Sequence, residues 1–200
     1  MVPWWVIVPV RSGAGAKTRL STLPAPARAA IALAFAQDTI AAATACSEVS
    51  GVIVVADDIA RRSLVGPALR HVDDPGTGLN GALVAGAAMV PAGAGAVALM
   101  SDLPSLTPDE LARALCLARA HPRSFVCDSE GIGTAMLASM DPGALDPHFG
   151  ERSRAEHAAS GAVEIEDPSL PRLRRDVDSE VALWDARRLG VGPATAQALL

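Results

Sequence analysis

Short apolar runs alternate with longer Ala-rich segments along nearly the whole chain. The apolar runs predict seven strands, at residues 5–10, 51–56, 69–72, 96–100, 124–127, 134–138 and 162–165. The segments between them predict six helices, at residues 27–46, 58–65, 79–89, 108–119, 152–160 and 179–189. Because the strands are apolar throughout and alternate with helices of this length, the pattern predicts a mostly parallel sheet with helices on both faces.

Capping signals mark two of the predicted helix boundaries. Thr107, Pro108 and Glu110 form a capping box with proline at the first helical position. Asp178 is placed to cap the last helix, and Gly190 follows the basic final turn of that helix. These signals fix where the strand-to-helix turns lie, and ligands of open parallel sheets bind at such turns.

The composition narrows the class of protein. At 200 residues, half of them hydrophobic, the chain is expected to form a single domain over 1–200. A formal net charge of −5 and 3% aromatic residues argue against nucleic-acid binding. Three cysteines without metal-type spacing predict reduced thiols and a cytoplasmic location. The apolar opening at 2–10 lacks a basic leader and is too short to span a membrane.

A small-residue loop with three cations follows the first predicted strand. Arg11, Lys17 and Arg19 lie in and beside a glycine- and alanine-rich stretch. Small residues let the backbone approach a ligand, and N–H groups with nearby cations suit a phosphate chain. A P-loop would need glycine in place of Arg11 and Ala16, and a dinucleotide fingerprint would need glycine or alanine at Thr18. The loop therefore predicts a nucleoside triphosphate site of the nucleotidyltransferase kind.

Acidic residues follow several of the predicted strands. Such residues commonly cap helices, and capping is the favoured interpretation for Asp58. Asp102 is different, because Thr107 caps the next helix and leaves this carboxylate for the cleft. Asp176 and Asp178 would point the same way if their segment is extended, although one of them is also a cap candidate. Since Mg²⁺ needs only one or two protein carboxylates beside substrate phosphates, Asp102 with Asp176 would suffice.

Two further stretches have the composition of ligand-binding loops. Residues 74–81 (Asp-Pro-Gly-Thr-Gly-Leu-Asn-Gly) are either a plain turn or a loop whose backbone reads a nucleobase and ribose. Residues 148–153 open a helix whose free N–H groups, with Ser153, form an anion site unless Ser153 serves only as a cap. His148 and His157 have no acidic partner by spacing, so we interpret them as structural or surface residues.

Together these motifs resemble the 2-phospho-L-lactate guanylyltransferase family of coenzyme F420 biosynthesis, including its phosphoenolpyruvate-using branch. The specific part is His-Phe-Gly-Glu-Arg-Ser at 148–153 followed by Asp-Val-Asp at 176–178. Ser-Asp-Leu-Pro at 101–104 and the N-terminal loop occur more widely in related nucleotidyltransferases. Arg11 stands where the family pattern has lysine, and Thr18 stands where serine is common. Both differences keep the charge or the hydroxyl.

The resemblance implies both a fold and a reaction. The fold is α/β, a Rossmann-like mixed sheet of the nucleotide-diphospho-sugar transferase type (GT-A-like nucleotidyltransferases). The reaction transfers GMP from GTP to the phosphate of phosphoenolpyruvate or 2-phospho-L-lactate, releases pyrophosphate and uses Mg²⁺. The reactive product would be handed over to the next enzyme of the pathway. Two alternatives stay open: another acceptor (molybdopterin or a sugar phosphate), or a catalytically silent nucleotide-binding module.

The resemblance also implies a role for each candidate residue. Asp102 would bind Mg²⁺ with Asp176, Asp178 or both, and Lys17, Asp102 and Asp176 would form the catalytic set. The implied nucleotide-binding residues are Arg11, Lys17, Arg19, Asp74, Gly76, Gly78 and Asn80. The implied acceptor-binding residues are Thr134, Gly150 and Ser153.

Overall fold

The computed structural model describes residues 2–11, 17, 19–20, 22–66 and 68–200, and a seven-stranded sheet runs through them. The strands are β1 (Trp4–Val10), β2 (Val49–Ala56), β3 (Leu69–Asp73), β4 (Gly95–Leu99), β5 (Arg123–Cys127), β6 (Thr134–Ser139) and β7 (Val163–Glu164). All seven predicted strands are therefore present, with ends that differ by at most two residues.

Helices cover both faces of this sheet. They are α1 (Ala25–Ala45), α2 (Asp58–Ser63), α3 (Leu79–Ala87), α4 (Pro108–Ala118), α5 (Ser153–Ala159), α6 (Glu180–Leu189) and α7 (Pro193–Ala198), with a 3₁₀ turn at Pro142–Ala144. The six predicted helices are confirmed, whereas the sequence pattern does not predict α7. Among the described residues, no helix is both long and apolar enough to cross a membrane.

The sheet is mixed, in the order β3-β2-β1-β4-β6-β5-β7. Strand β6 is antiparallel to its neighbours β4 and β5, and the other strand pairings are parallel. This single reversal matters for function, because it places the first residue of β6, Thr134, opposite Cys127 at the end of β5. The beginning of β6 thus shares the sheet edge where β1, β4 and β5 end.

Strand side chains alternate between two apolar clusters, one on each face of the sheet. Val6, Val8 and Leu99 pack with α1 and α4, whereas Ile7 and Ala98 pack with α3. The contact with α3 is close at Gly86, where a Cβ atom would lie 2.4 Å from Cγ2 of Ile7. Only glycine fits there, so the last turn of α3 packs directly against β1 and β2.

Two helices, α2 and α6, are capped by a residue next to the one expected from the sequence. Thr107 caps α4 as predicted, accepting a hydrogen bond from the backbone N–H of Glu110 (3.3 Å). Helix α6 is capped by Ser179 rather than Asp178, because the Ser179 hydroxyl accepts from the N–H of Ala182. Asp57 rather than Asp58 caps α2. The Asp178 carboxylate is therefore not used as a helix cap.

Helix α7 depends on one buried carboxylate. Asp38 of α1, 6% exposed, accepts hydrogen bonds from the backbone N–H groups of Ala194 (3.0 Å) and Thr195 (2.8 Å). These are first-turn N–H groups of α7, which have no partner inside their own helix. A distant side chain thus supplies the cap that the local sequence of α7 lacks.

Replacing Asp38 with alanine should lower the free energy of unfolding by about 2–3 kcal/mol, because two buried N–H groups lose their acceptor. Urea denaturation measures this loss. Asp38→Asn keeps one acceptor oxygen and should cost less. An alanine variant as stable as the parent chain would contradict this role of Asp38.

Candidate active site

Two adjoining cavities open at the sheet edge where β1 and β4 end. The first, about 490 Å³, lies between the ends of β1 and β2 and the start of α3. The second, about 580 Å³, lies over the start of β6 and the segment before α5. Leu79, Met100, Asp102 and Asp178 line both. The two cavities therefore meet at a pair of carboxylates.

Three carboxylates converge at this junction. One oxygen from each of Asp102, Asp176 and Asp178 lies within 4.8 Å of the others. Val177, between the last two, is fully buried, so its neighbours both face the cleft. The Val177 N–H also donates to the carbonyl of Asp102 at 3.0 Å. This backbone bond holds the 176–178 segment against the turn that carries Asp102.

A residue of the predicted capping box anchors the same segment. The Glu110 carboxylate accepts from the backbone N–H groups of Arg172 (2.9 Å) and Leu173 (3.0 Å). The reciprocal cap expected of Glu110 would bond the N–H of Thr107, but its Oε2 atom instead binds the chain that leads to Asp176. Sequence alone gives no signal for this long-range use.

Lys17 is the counter-ion of the acidic cluster. Its Nζ binds the carboxylate of Asp102 and lies 2.6 Å from Oδ1 of Asp178. Burial alone lowers the pKa of Lys17, but Asp102 and Asp178 outweigh it, so the pKa is raised above its usual value. The lysine is therefore charged at neutral pH. Residues 12–16 and Thr18 of the predicted phosphate loop lie outside the described residues.

Asp176 has the most perturbed carboxyl group of the cluster. Burial, followed by the negative charges of Asp102, Asp128 and Asp178, raises its pKa to about 7. Near neutral pH the group is therefore poised between its neutral and charged forms. The cluster carries more negative charge than the nearby lysine balances, and a further cation would relieve it.

Three of the seven residues predicted to bind the nucleotide, Arg11, Lys17 and Asp74, line the first cavity. Arg11 at the end of β1 donates from Nε to Asp74 at 2.7 Å, and this hydrogen bond lowers the pKa of Asp74. Asp74 also accepts from the N–H of Gly76. Gly76 and Gly78 have φ of +73° and +92°, and a Cβ at either would meet open space. Glycine is needed at these positions for backbone conformation rather than for packing.

The second cavity contains the three residues predicted to bind the acceptor. Thr134, Gly150 and Ser153 line it together with Asp176. Arg19, predicted to bind the nucleotide, lines this second cavity instead. Further lining residues, Asp128 and Glu130, were not among the predicted site residues. Asp128 directly follows β5. It could therefore have been identified by the same signal as Asp102, an acidic residue that follows a predicted strand.

Asn80 connects the walls of the two cavities. Its side-chain N–H donates to the carbonyl of Phe149 (3.1 Å), and its oxygen accepts from the N–H of the same residue (2.8 Å). Phe149 immediately precedes Gly150, which lines the second cavity. The amide predicted to read the nucleotide is thus bonded to the backbone of the segment that lines the second cavity.

The donor set at the junction fits a divalent cation. Mg²⁺ prefers oxygen ligands and is commonly held by one or two carboxylates plus substrate phosphates. Asp102, Asp176 and Asp178 offer such oxygens at mutually compatible distances, beside a cavity on either side. Burial and the neighbouring carboxylates raise the pKa of Asp176, and a bound cation would favour the charged form of this group.

Comparison with known proteins gives consistent matches. Residues 4–162 match the family described as "Guanylyl transferase CofC like". Phosphoenolpyruvate guanylyltransferase of Streptomyces coelicolor is 49% identical over 96% of this chain and 94% of its own length. Seven further relatives with the same name are 40–47% identical.

Two solved structures illustrate the fold. A Desulfovibrio desulfuricans protein assigned to the nucleotide-diphospho-sugar transferases superposes with a TM-score of 0.64 at 15% identity, covering 94% of this chain and 97% of its own. Rv0371c of Mycobacterium tuberculosis, solved as a manganese complex, gives 0.54 at 20% identity, covering 94% and 97%. At these identities the likeness concerns the fold, and it confirms the nucleotide-diphospho-sugar transferase type.

Replacing Asp176 with asparagine should stabilise the metal-free protein at pH 8 by about 1–3 kcal/mol. Because its pKa is raised from 3.8 to about 7, the folded chain binds more protons than the unfolded chain between those values. Stability therefore falls as pH rises through this window, and the variant escapes that loss. Chemical denaturation from pH 4 to pH 8 in the presence of a chelator measures the difference.

Glu130→Gln is the matched control, since it removes an exposed carboxylate that lines the same cavity. It should give no pH-dependent gain. An Asp176→Asn protein that is less stable than the parent chain at pH 8 would contradict an electrostatic origin of the effect.

Proposed function

The chain belongs to the CofC-like guanylyl transferase family, and on this premise we propose that it transfers GMP from GTP to phosphoenolpyruvate. Pyrophosphate leaves, and the product is a guanosine diphospho-linked three-carbon acid. We place the reaction in coenzyme F420 biosynthesis. 2-Phospho-L-lactate, which differs only in lacking the double bond, is the second candidate acceptor.

The junction of the two cavities at the acidic cluster is the observation that supports this reaction most strongly. A transferase must bind two phosphorylated substrates with their reacting atoms adjacent. Here two cavities of about 490 and 580 Å³ share the carboxylates of Asp102 and Asp178. A protein that only binds a nucleotide has no need for the second cavity. This argues against the silent-module alternative.

We assign the first cavity to GTP. The turn at 74–80 would contact guanosine through its backbone, since Gly76 and Gly78 leave that surface open. Arg11 and Lys17, at the cavity wall, would bind the triphosphate. Both cations are now paired with carboxylates, and phosphate oxygens would replace or share these partners. The nucleotide thus enters a site whose cations are already positioned.

We propose Mg²⁺ as the cofactor, held by Asp102, Asp176 and Asp178. When bound, the ion neutralises charge on the triphosphate and polarises the α-phosphorus for attack. Lys17 contacts two of the same carboxylates, so its ammonium group would also pair with phosphate oxygens of the bound nucleotide. The protein then stabilises negative charge that builds up on the leaving pyrophosphate.

The second cavity is assigned to the acceptor. Ser153 and the backbone beside Gly150 would bind its phosphate and carboxylate, with Thr134 as a further donor. Because Arg19 also lines this cavity, we move it to the acceptor side. No dedicated base is required, since a phosphate monoester with a second pKa near 6 is largely ionised at neutral pH. Catalysis reduces to aligning two anions.

The cellular location, the partners and the domain extent of the protein are also part of this proposal. We propose a cytoplasmic location, for which three cysteines without disulfide bonds are suited. GTP and phosphoenolpyruvate are the proposed small-molecule partners, and neither nucleic acid nor a membrane surface is expected. A reactive product would be handed over to the next enzyme of the pathway. We also propose that residues 1–200 form one nucleotidyltransferase domain.

Incubating the protein with GTP, Mg²⁺ and each acid in turn tests the function. Pyrophosphate should appear only when an acceptor is present, and more rapidly with phosphoenolpyruvate than with 2-phospho-L-lactate. Mass spectrometry should identify the guanylylated acid. Acceptor-independent hydrolysis of GTP, or no pyrophosphate with either acid, would contradict the proposal.

Asp102→Asn should lower turnover by at least about 100-fold, because the junction loses a carboxylate that would hold the Mg²⁺ ion between the two anionic substrates. Asp102 also binds Lys17, so thermal unfolding must accompany the assay to show that the variant is folded. A folded variant that keeps its turnover and Mg²⁺ dependence would refute the metal assignment.

Ser153→Ala should raise KM for the acceptor by about tenfold, while KM for GTP changes little, since one hydrogen bond to an anion is lost. Steady-state kinetics with each substrate varied in turn separates the two constants. A larger rise in KM for GTP would place Ser153 on the nucleotide side.

A further inference from the structure

We propose that His157 is a positioning residue that holds the Thr134 hydroxyl as a hydrogen-bond donor toward the acceptor. This inference rests on the proposed function, because it deepens the assignment of the second cavity. It also gives a function to a residue that we interpret from the sequence as structural or surface-exposed for want of an acidic partner. In this role a buried imidazole fixes the direction of a single proton.

The imidazole of His157 lies entirely inside the protein. Its residue exposure is 0%, and its ring packs against Phe149 (4.9 Å between centroids) and Phe125 (5.8 Å). It therefore has no direct access to substrate. Any effect on catalysis must pass through the groups to which its two nitrogens are bonded.

Those two hydrogen bonds define the proton positions on the ring. Nε2 accepts from the backbone N–H of His148 at 2.9 Å, and a backbone amide can only donate. In a neutral imidazole the remaining ring nitrogen, Nδ1, then carries the proton. Nδ1 lies 2.9 Å from Oγ1 of Thr134, so the ring donates and the threonine oxygen accepts.

This hydrogen bond restricts the direction in which the hydroxyl proton of Thr134 can point. A hydroxyl has one proton and two lone pairs, and here the imidazole N–H occupies a lone pair. The hydroxyl proton cannot point at His157 and is free to donate elsewhere. Thr134 lines the second cavity beside Gly150 and Ser153, so an anionic oxygen in that cavity would find a donor already oriented.

The ring keeps this arrangement across the neutral pH range. Burial, followed by electrostatic effects of His148 and Arg123, lowers the pKa of His157 to about 4, against smaller opposing effects of Asp146 and the Ser153 backbone. A charged ring would lose the acceptor lone pair that holds the backbone of His148. The neutral form therefore preserves both the loop and the hydroxyl direction.

Two isosteric replacements separate the functions of the two ring nitrogens. In His157→Asn the amide nitrogen can occupy the place of Nδ1, so donation to Thr134 is retained. In His157→Gln the terminal oxygen can occupy the place of Nε2, so the bond from His148 is retained while donation to Thr134 is lost. If His157 were only a structural residue, the asparagine and glutamine variants should have similar KM values for the acceptor.

His157→Gln and Thr134→Val should each raise KM for phosphoenolpyruvate about tenfold or more, with KM for GTP nearly unchanged. His157→Asn should raise it less than about threefold, and the Thr134→Val/His157→Gln double variant should be no worse than Thr134→Val alone. Equal effects of glutamine and asparagine, additive effects in the double variant, or parallel changes in both KM values would overturn the inference.

Nitrogen-15 NMR of the imidazole in the unmodified protein gives a test that needs neither turnover nor a stable variant. At neutral pH it should show a neutral ring protonated on Nδ1. A ring protonated on Nε2, or on both nitrogens, would overturn the inference. Absence of acceptor-dependent turnover in the parent chain would instead count against the proposed function, so the two failures are distinguishable.

Discussion

Mutual repulsion of three carboxylates at the end of β4 is the constraint on which the site depends. Asp102, Asp176 and Asp178 come within 4.8 Å of one another, and a chain free to relax would separate them. The positive charge of Lys17 offsets part of this repulsion. The side chain of Val177 is buried and its N–H donates to the carbonyl of Asp102, so the backbone holds the carboxylates together against the repulsion that remains. Burial, followed by the charges of the neighbouring carboxylates, raises the pKa of Asp176 to about 7. This stored negative charge makes the junction suited to a cation and to two anions that the cation can join.

The mixed sheet surrounds that junction with two separate binding walls. Parallel strands β1 and β4 deliver Arg11 and Asp102 to one edge, and antiparallel β6 brings Thr134 to the same edge from the opposite chain direction. A wholly parallel sheet would place the start of that strand at the far side of the molecule. Asn80 at the start of α3 forms two hydrogen bonds with the backbone of Phe149. Besides the shared sheet, this amide joins the two walls directly.

Sequence reasoning succeeds where the determinants are local. Continuous apolar runs identify the strands, and Thr107 as a cap leaves Asp102 for the cleft, as the structure shows. It does not identify contacts between distant segments: Asp38 caps α7 over more than 150 residues, and Glu110 turns from its own helix to the chain before Asp176. His157 is the same kind of case, because its partners at 134 and 148 become neighbours only when β6 and α5 pack together.

In the proposed reaction, the acceptor in the second cavity attacks GTP in the first cavity directly, across the carboxylate junction. A single in-line displacement inverts the configuration at the α-phosphorus, whereas a covalent guanylyl-enzyme intermediate would require two displacements and retain it. The most direct test is the stereochemical course of transfer from GTP made chiral at the α-phosphorus by sulfur substitution, read by phosphorus NMR of the product. Inversion is the predicted result. Retention would contradict direct transfer between the two cavities.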